Sequence, residues 1–525
     1  MASPLGTPAA DGPSPVLATL GRMPHAQRIQ GRAVQQALNF DNLPQLLVEG
    51  SGMVFEDPTE RLPMSHAELV AFIRDLDLAG LGLRPGDRLA TLVPNGSEAA
   101  VLLMSCFAKC TVVPLNPSGT SKELVADATS VEARALIAHE SFMSNPDLQL
   151  TAVVAELGIS LLELAPDTQK VGRFAVSVKV PRSDMGSSIS RGEVLSSSED
   201  TSLVLFTSGT SGTKKCVPYT LGTLAVGTSC IIASWDLRPC DRVLNMMPLF
   251  HIGGITRNLL GPVLSGGSAC LCGSFDPIQF WDIVQQRETA ITWYYAGPVM
   301  HQMILDEFKR RGLSQYNFRF IANAAGGLLP SLALDMRAAY GCTVLPGYGM
   351  TECMPISAPP LDYQLDREGT SGRSVGPELS IFDDEGNVVE PRTVGNIVVR
   401  GPPLFGGYEG NPEATDEAFF PGGWFNTGDL GWMDEDGYLY ISGRSKEVIN
   451  RGGEIISPFE VEEAVCAHPL VKAAIAFAVP HEMLEEGIGL AVVSHEGKPR
   501  VGLRNLQKFC KQNLAFAKWP QVLVH

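Results

Sequence analysis

The sequence lacks the features of a membrane-spanning, secreted or nucleic-acid-binding protein. Its apolar runs are broken before the roughly 18 residues that a membrane span needs. Its start, MASPLGTPAADGPSPVLATLGRMPHAQ, does not have the basic-then-apolar order of a secretory signal. No block of Lys and Arg is present to bind nucleic-acid phosphates, and 57 acidic against 40 basic residues give a formal net charge of −17. We therefore expect no membrane span, no nucleic-acid partner and a cytoplasmic location, or a peroxisomal one if a C-terminal signal follows His525.

Spacings typical of metal sites are also missing. The eleven cysteines are scattered, and Cys270 and Cys272 are closer than the paired ligands of structural zinc sites. The nine histidines include no HExxH pattern. We predict buried or free thiols in a reducing compartment and no transition-metal site.

The chain has ample material for several structural units, since 45% of its 525 residues are hydrophobic and only 18% are charged. From about Arg61, strand-like and helix-like segments alternate, with Ser65 as a helix N-cap, which predicts mainly parallel sheets covered by helices. Past Thr370, short strands and Asp-Gly or Glu-Gly turns predict a small antiparallel β unit. A short α+β segment follows. We predict a flexible tail at 1–30, an N-terminal domain at 31–443 and a small C-terminal domain at 444–525.

The strongest chemical signal is LVLFTSGTSGTKKCVP, residues 203–218. An apolar strand runs into small hydroxyl residues and glycines, and then into Lys214 and Lys215. Such a loop lets backbone N–H groups converge on phosphate oxygens, and the lysine adds a positive charge. The spacing is not that of a Walker A loop, which needs glycine at position 214. The segment predicts a phosphate-binding loop of a different kind.

Two further segments are weak signals when each is taken alone. GYGMTE, residues 347–352, places a ring, two glycines, a hydroxyl and a carboxylate together, although Thr-Glu is more often a helix start. Residues 424–458 contain Asp429, whose carboxylate can accept two ribose hydroxyls, and Arg444, whose guanidinium suits bidentate oxygen contacts. A turn aspartate and a surface arginine are the ordinary alternatives.

Taken together and in this order, the three segments resemble the adenylate-forming superfamily of acyl-CoA synthetases, peptide-synthetase adenylation domains and beetle luciferases. The resemblance covers about residues 60–520 and is greatest to the coumarate-CoA and oxalate-CoA ligase branch, through AITWYYAGPVMHQMIL, GYGMTE and INRGGEIISPFEVE. It implies that a carboxylate attacks the α-phosphate of ATP, releasing pyrophosphate and leaving an acyl-adenylate. A thiol then displaces AMP to form a thioester. ATP, Mg²⁺ and either coenzyme A or a carrier's phosphopantetheine are the implied cofactors.

The resemblance also assigns roles to matching positions. The phosphate loop is matched by Thr207, Ser208, Gly209, Thr210, Ser211, Gly212 and Lys215. The nucleotide positions are matched by Gly326 and Gly327 at the adenine, Tyr348 with Gly349 at the stacking ring, Thr351 at a phosphate oxygen, Glu352 at Mg²⁺, Asp429 at the ribose and Arg444 at the ribose or a phosphate. The small domain is matched by Lys446 at its hinge and by Gly452 and Gly453 facing the pantetheine tunnel. The implied catalytic residues are Lys215, His251, Thr351, Glu352 and Arg444.

Residues of the acid pocket are less clearly indicated. His251, in MPLFHIGG, matches a family histidine or aromatic residue that gates the acyl pocket. If Arg257 points into the pocket, it favours an acid with a second carboxylate. An outward arginine on a helix starting near Ile255 is at least as well supported. The aromatic run 293–295 fits a pocket wall but is more typical of core.

The sequence departs from the family pattern at two places. Lys214 and Cys216 stand where the family has Pro and Gly around the loop lysine. The sequence ends at LAFAKWPQVLVH, ahead of the family's Pro-Lys-Thr-x-x-Gly-Lys segment, whose last lysine reaches the α-phosphate; Lys518 belongs to an earlier position. We expect a longer polypeptide, with a naturally truncated and slow enzyme as the alternative.

Four functions are therefore weighed. The first is an acid–thiol ligase acting on a small carboxylic acid and coenzyme A. The second is a loading domain that serves a carrier domain downstream of residue 525. The third is a nucleotide-binding module without catalysis, and a luciferase-like oxygenase is a remote fourth.

Overall fold

The computed structural model describes residues 15–21, 30–182, 195–207, 214–286, 290–313, 316, 318–323, 326–445, 447–451, 454–481, 484–511 and 514–525. The chain divides into two compact units. The larger lies within Met1–Asp366, Ser374–Pro377 and Gly401–Glu417, and the smaller within Arg367–Arg373, Glu378–Arg400 and Ala418–His525. The smaller unit thus includes β-rich residues that the sequence analysis assigned to the N-terminal domain, and the boundary at 443–444 stays a prediction.

Two seven-stranded sheets form the framework of the larger unit in its described residues. The first is parallel except at one edge. Its strands, in spatial order, are Thr343–Pro346, Phe320–Asn323, Trp293–Ala296, Arg242–Asn245, Ser268–Leu271, Met53–Glu56 and Met64–Ser65. The second sheet has a parallel centre and an antiparallel pair at each edge. Its strands, in spatial order, are Phe174–Val180, Ser160–Pro166, Ala135–His139, Arg88–Leu92, Thr111–Pro114, Thr201–Thr207 and Lys215–Thr220.

Helices alternate with these strands along the chain, which confirms the predicted fold class. In the described residues up to 418, the α-helices are Pro15–Gly21, Gly31–Ala37, His66–Asp75, Ser97–Lys109, Ser121–Ser130, Glu140–Met143, Leu150–Leu157, Leu221–Trp235, Gly261–Ser265, Pro277–Gln286, Pro298–Arg310, Pro330–Tyr340 and Pro412–Ala418. Leu43–Leu46 is a 3₁₀ turn, and Gly254–Leu260 is a π-helix. The short strands Tyr348–Met350 and Cys353–Ala358 pair antiparallel, and Arg373–Ser374 is a two-residue strand.

Local sequence explains where several of these helices begin. The Ser65 hydroxyl accepts the N–H of Glu68, while the Glu68 carboxylate accepts the Ser65 N–H at 2.8 Å, so the predicted N-cap is confirmed as a capping box. Thr120 and Glu123 form the same arrangement. The helix Pro15–Gly21 lies in the stretch predicted as a flexible tail, and its Val16 and Leu20 are buried.

The smaller unit consists of two antiparallel-rich sheets with helices. The first contains Glu378–Phe382, Gly395–Arg400, Trp424–Met433, Phe419–Phe420 and Leu439–Arg444. The second contains Glu454–Ile456, Ile449–Arg451, Glu485–Ser494, Val471–His481 and Val522–Val524. Its helical segments are Pro458–Cys466, Leu503–Cys510 and the 3₁₀ turn Phe516–Lys518. Apolar side chains of this second sheet and of its α-helices, among them Ile456, Val465, Ile488 and Leu506, form a core.

The state of the cysteines and the lengths of the helices relate to the predictions about thiols and about a membrane span. The eleven cysteines lie in described residues and form no disulfide there, and most of them are buried. In the described ranges, none of the helices is both long and apolar enough to cross a lipid bilayer.

Candidate functional site

Three of the predicted segments in the larger unit follow parallel strands of the first sheet. His251 comes after Arg242–Asn245, and Gly326 and Gly327 come after Phe320–Asn323. The GYGMTE segment follows Thr343–Pro346. These strands are parallel, so their carboxyl ends lie at the same sheet edge. This edge is where open α/β sheets bind ligands.

The predicted phosphate loop lies between two paired strands of the second sheet. Thr207 ends one strand and Lys215 begins the next, and the two residues are register partners. The expected donors Ser208, Gly209, Thr210, Ser211 and Gly212 lie outside the described residues. The structure therefore places the two ends of the loop, and the role of its donors stays a prediction.

The two lysines after the loop have different surroundings. The Lys214 ammonium lies 2.8 Å from both carboxylate oxygens of Asp127, which is largely buried on the helix Ser121–Ser130. The Lys215 ammonium instead lies 4.4 Å from the centre of the Tyr408 ring. Because Lys214 is paired with a carboxylate, Lys215 is the better candidate for contacting a phosphate group.

Glu352 is held at the turn between the strands Tyr348–Met350 and Cys353–Ala358. It is only 5% exposed, and its Oε1 accepts a 2.7 Å hydrogen bond from the Tyr408 hydroxyl. The carbonyl of the neighbouring Thr351 accepts a hydrogen bond from the buried Tyr219 hydroxyl. One tyrosine, Tyr408, thus contacts both Lys215 and Glu352, residues from two separate predicted motifs.

Backbone hydrogen bonds hold the segment 404–409 in place beside both motifs. The Phe405 N–H donates to the Glu352 carbonyl at 2.9 Å, and the Glu409 N–H donates to the Cys216 carbonyl at 3.0 Å. The Tyr408 ring also packs edge-on against Phe405, with ring centres 4.9 Å apart. This segment fixes the position of the Tyr408 ring relative to Lys215 and Glu352.

The remaining nucleotide positions of this unit lie close to the sheet edge. Tyr348 is 8% exposed, and Gly349 packs so closely on Met354 that an added Cβ would lie 2.8 Å from its sulfur. Gly326 and Gly327 are exposed, and the Gly326 carbonyl accepts a 3.0 Å hydrogen bond from the Asn323 side chain. The two exposed glycines and Tyr348 follow neighbouring parallel strands, as expected for segments that bind one adenine.

His251 and Arg257 differ in burial. His251 is exposed beside Phe250, yet partial desolvation by the surrounding chain lowers the pKa of its imidazole, which favours the neutral ring. Arg257 is only 1% exposed, so the outward alternative is wrong. The predicted helix near Ile255 is a π-helix, and its residues 254–260 are all buried. Trp293, Tyr294 and Tyr295 are buried on one strand, and the Tyr295 ring contacts the Arg257 guanidinium.

Asp429 and Arg444 meet in the smaller unit as cross-strand partners. The Arg444 Nε lies 2.9 Å from the Asp429 Oδ1. Asp429 is 4% exposed, whereas the Arg444 side chain is 47% exposed. The structure therefore brings these two predicted residues together. Lys446, Gly452 and Gly453 lie outside the described residues.

Lys518, which the sequence analysis set aside as non-catalytic, lies at the surface of the smaller unit. Its ammonium forms an ion pair with both carboxylate oxygens of Glu460 at 2.7 Å. This contact accounts for its charge without a ligand.

A family model described as "AMP-binding enzyme" matches residues 76–409. The chain belongs to this family. It is 34% identical over 454 residues to an oxalate–CoA ligase of Arabidopsis thaliana, which covers 84% of this chain and 84% of the relative. It is 31% identical to a sulfoacetate–CoA ligase of Cupriavidus necator, with 84% of each chain covered. The ATP-bound crystal structure of MatB from Rhodopseudomonas palustris superposes with a TM-score of 0.76 at 27% identity, covering 90% of this chain and 92% of that one.

These similarities confirm the predicted activity at the level of its class. This AMP-binding enzyme is an acid–thiol ligase that activates a carboxylic acid with ATP and joins it to coenzyme A. Relatives named as CoA ligases favour coenzyme A over a carrier domain as the acceptor.

The sequence analysis of this AMP-binding enzyme missed Tyr408 and Asp127. Tyr408 is 56 positions from Glu352, and Asp127 is 87 positions from Lys214. Neither belongs to one of the predicted motifs. The aromatic residue in FGGYEG, residues 405–410, is only a weak signal of a constrained turn.

We expect Tyr408→Phe to lower kcat/KM for acid-dependent pyrophosphate release about 10-fold and to raise the Mg²⁺ concentration needed for half-maximal rate. The variant removes the hydrogen bond to a carboxylate, typically about 1.5–3 kcal/mol, but keeps the ring beside Lys215. The measurement is a Mg²⁺ titration of the initial rate, together with a thermal melt.

The matched control is Tyr316→Phe, which likewise removes a tyrosine hydroxyl that donates to a protein acceptor, here the Ile291 carbonyl at 3.4 Å. It should leave the Mg²⁺ dependence unchanged. An unchanged Mg²⁺ dependence in Tyr408→Phe itself would show that the hydrogen bond does not position Glu352.

Proposed function

We propose that this enzyme forms its acyl-adenylate with Lys215 and Glu352 on either side of the ATP phosphates. The observation that supports this is their convergence on Tyr408, which brings one cation and one buried carboxylate from separate motifs together. A cation near the phosphates stabilises the charge that develops as pyrophosphate leaves. Thr351, next to Glu352, is proposed to donate to a phosphate oxygen.

The residues present fit a magnesium ion that is shared with the nucleotide. Among the described residues there is no group of three or more His, Cys, Asp or Glu side chains that would form an all-protein metal cage. Mg²⁺ in nucleotide sites is commonly held by one or two carboxylates together with phosphates and water, which the single carboxylate of Glu352 matches. When bound there, the ion would neutralise part of the negative charge of the phosphates.

The other proposed roles concern the binding of the nucleotide and of the acid. Tyr348 provides a ring for the adenine beside the backbone of Gly326 and Gly327. Asp429 accepts the ribose hydroxyls, and its Arg444 partner orients the carboxylate. His251, with its lowered pKa, is proposed to lie at the entrance for the acid as a neutral group.

The experiment that tests this function is ATP-dependent pyrophosphate release across a panel of acids. The panel contains oxalate, malonate, sulfoacetate, cinnamates, fatty acids and amino acids, each with and without coenzyme A. We expect pyrophosphate release with one class of acid, and an acyl-CoA product only when coenzyme A is added. ATP binding without release for every acid, with and without coenzyme A, would contradict the proposal.

A further inference from the structure

Arg257 carries a buried positive charge without an anionic partner among the described residues. It is 1% exposed, and its Nε and Nη1 have no hydrogen-bond acceptor within the described part of the chain. The other buried arginine in the described chain, Arg242, forms an ion pair with Glu56. An uncompensated buried charge is strongly destabilising, so an arginine kept in this state indicates a ligand that supplies the missing anion.

Two aromatic rings hold the guanidinium in one place. Its central carbon lies 4.7 Å from the centre of the Tyr295 ring and 5.4 Å from that of Trp235. Such contacts offset part of the charge, but they satisfy none of the N–H donors. Gly253 allows the close approach of Tyr295, because an added Cβ there would lie 2.6 Å from the tyrosine hydroxyl.

The position of Arg257 connects it to the reaction. It lies on the π-helix that begins three residues after His251. Its Nη2 lies 3.9 Å from the point where a Cβ on Gly347 would stand, next to Tyr348. The unpaired charge is therefore beside the segments that the proposed function assigns to the acid and the adenine.

We propose that Arg257 binds a second anionic group, a carboxylate or a sulfonate, on the acid substrate. This inference rests on the proposed function and deepens it by naming the substrate class. One carboxylate of the acid reacts with ATP, and the other anion forms a charge-assisted pair with the guanidinium. The relatives named for oxalate and sulfoacetate act on acids of this class, which supports the proposal.

The first test uses the unmodified enzyme and pairs of acids of matched length. Malonate, succinate and glutarate are each compared with the monomethyl ester, and sulfoacetate with methylsulfonylacetate, by kcat/KM for pyrophosphate release. For at least one pair, we expect the kcat/KM of the doubly charged acid to exceed that of its singly charged partner by about 100-fold or more. The singly charged acid cannot form the buried charge pair with Arg257. The dicarboxylate pairs test for binding of a second carboxylate, and the sulfoacetate pair tests for binding of a sulfonate. Equal or higher rates with the singly charged partners would overturn the inference.

The second test is Arg257→Met, which keeps the length of the side chain and removes the charge. The preference for the doubly charged acid should fall at least 30-fold, while the KM for ATP stays unchanged. Arg242→Met, a buried arginine with a structural partner, should lower thermal stability without changing the preference. If Arg257→Met does not fold, Arg257→Lys serves instead and should keep a weaker preference.

The outcomes separate this inference from the proposed function. An equal loss for both kinds of acid would mean that Arg257 serves the reacting carboxylate or the fold alone, and would overturn the inference. Pyrophosphate release with singly charged acids only would also overturn it while leaving the proposed function intact. The absence of pyrophosphate release with every acid would contradict both this inference and the proposed function.

Discussion

Replacing Glu352 with glutamine is expected to lower the rate of acid-dependent pyrophosphate release by about 100- to 1,000-fold. The amide keeps the size of the side chain and can still accept the hydroxyl hydrogen bond from Tyr408. It removes the negative charge that the proposed magnesium ion requires, and loss of one electrostatic stabiliser at a reacting phosphate commonly costs this much. Initial rates at saturating ATP, measured over a range of Mg²⁺ concentrations, provide the measurement.

The control is Glu199→Gln, which neutralises an exposed carboxylate of the same unit. It should have the rate and the Mg²⁺ dependence of the unmodified enzyme. Thermal melts of both variants should stay within a few degrees of the parent, since neither change removes buried apolar contacts. A Glu352→Gln variant that releases pyrophosphate at the parent rate would show that this carboxylate does not bind the metal.

The second large effect is expected for Asp429→Asn, which should raise the KM for ATP about 10- to 100-fold. The proposed hydrogen bonds from ribose hydroxyls to a charged acceptor are typically worth about 1.5–3 kcal/mol. The partner Arg444 is half-exposed, so water can solvate its guanidinium after the change, and we expect the fold to persist. The KM for ATP and the melting temperature are the two quantities to measure.

Deoxynucleotides make this second prediction specific to the ribose. The parent should discriminate against 2′-deoxy-ATP or 3′-deoxy-ATP, and Asp429→Asn should lose that discrimination. Asp416→Asn, at an exposed position on the helix Pro412–Ala418, should retain it. Equal discrimination in parent and Asp429→Asn would place the ribose elsewhere.

The sequence by itself determined the framework of this protein. Strand-like and helix-like residue patterns are local, so they predicted the alternation of strands and helices from about Arg61 onward that the structure contains. The capping box at Ser65 was also predictable, because its two hydrogen bonds join residues three apart. Three motifs in order were enough to indicate the family, which the comparisons confirmed.

The tertiary structure alone decided which charges are paired. The sequence places Lys214 and Lys215 side by side, and the resemblance selects Lys215. Only packing showed that Asp127 neutralises Lys214 while Tyr408 lies beside Lys215. It also decided the burial of Arg257, for which the sequence left inward and outward orientations open. These contacts join residues far apart in the chain. Their partners are set by which elements pack together, and local periodicity carries no information about that.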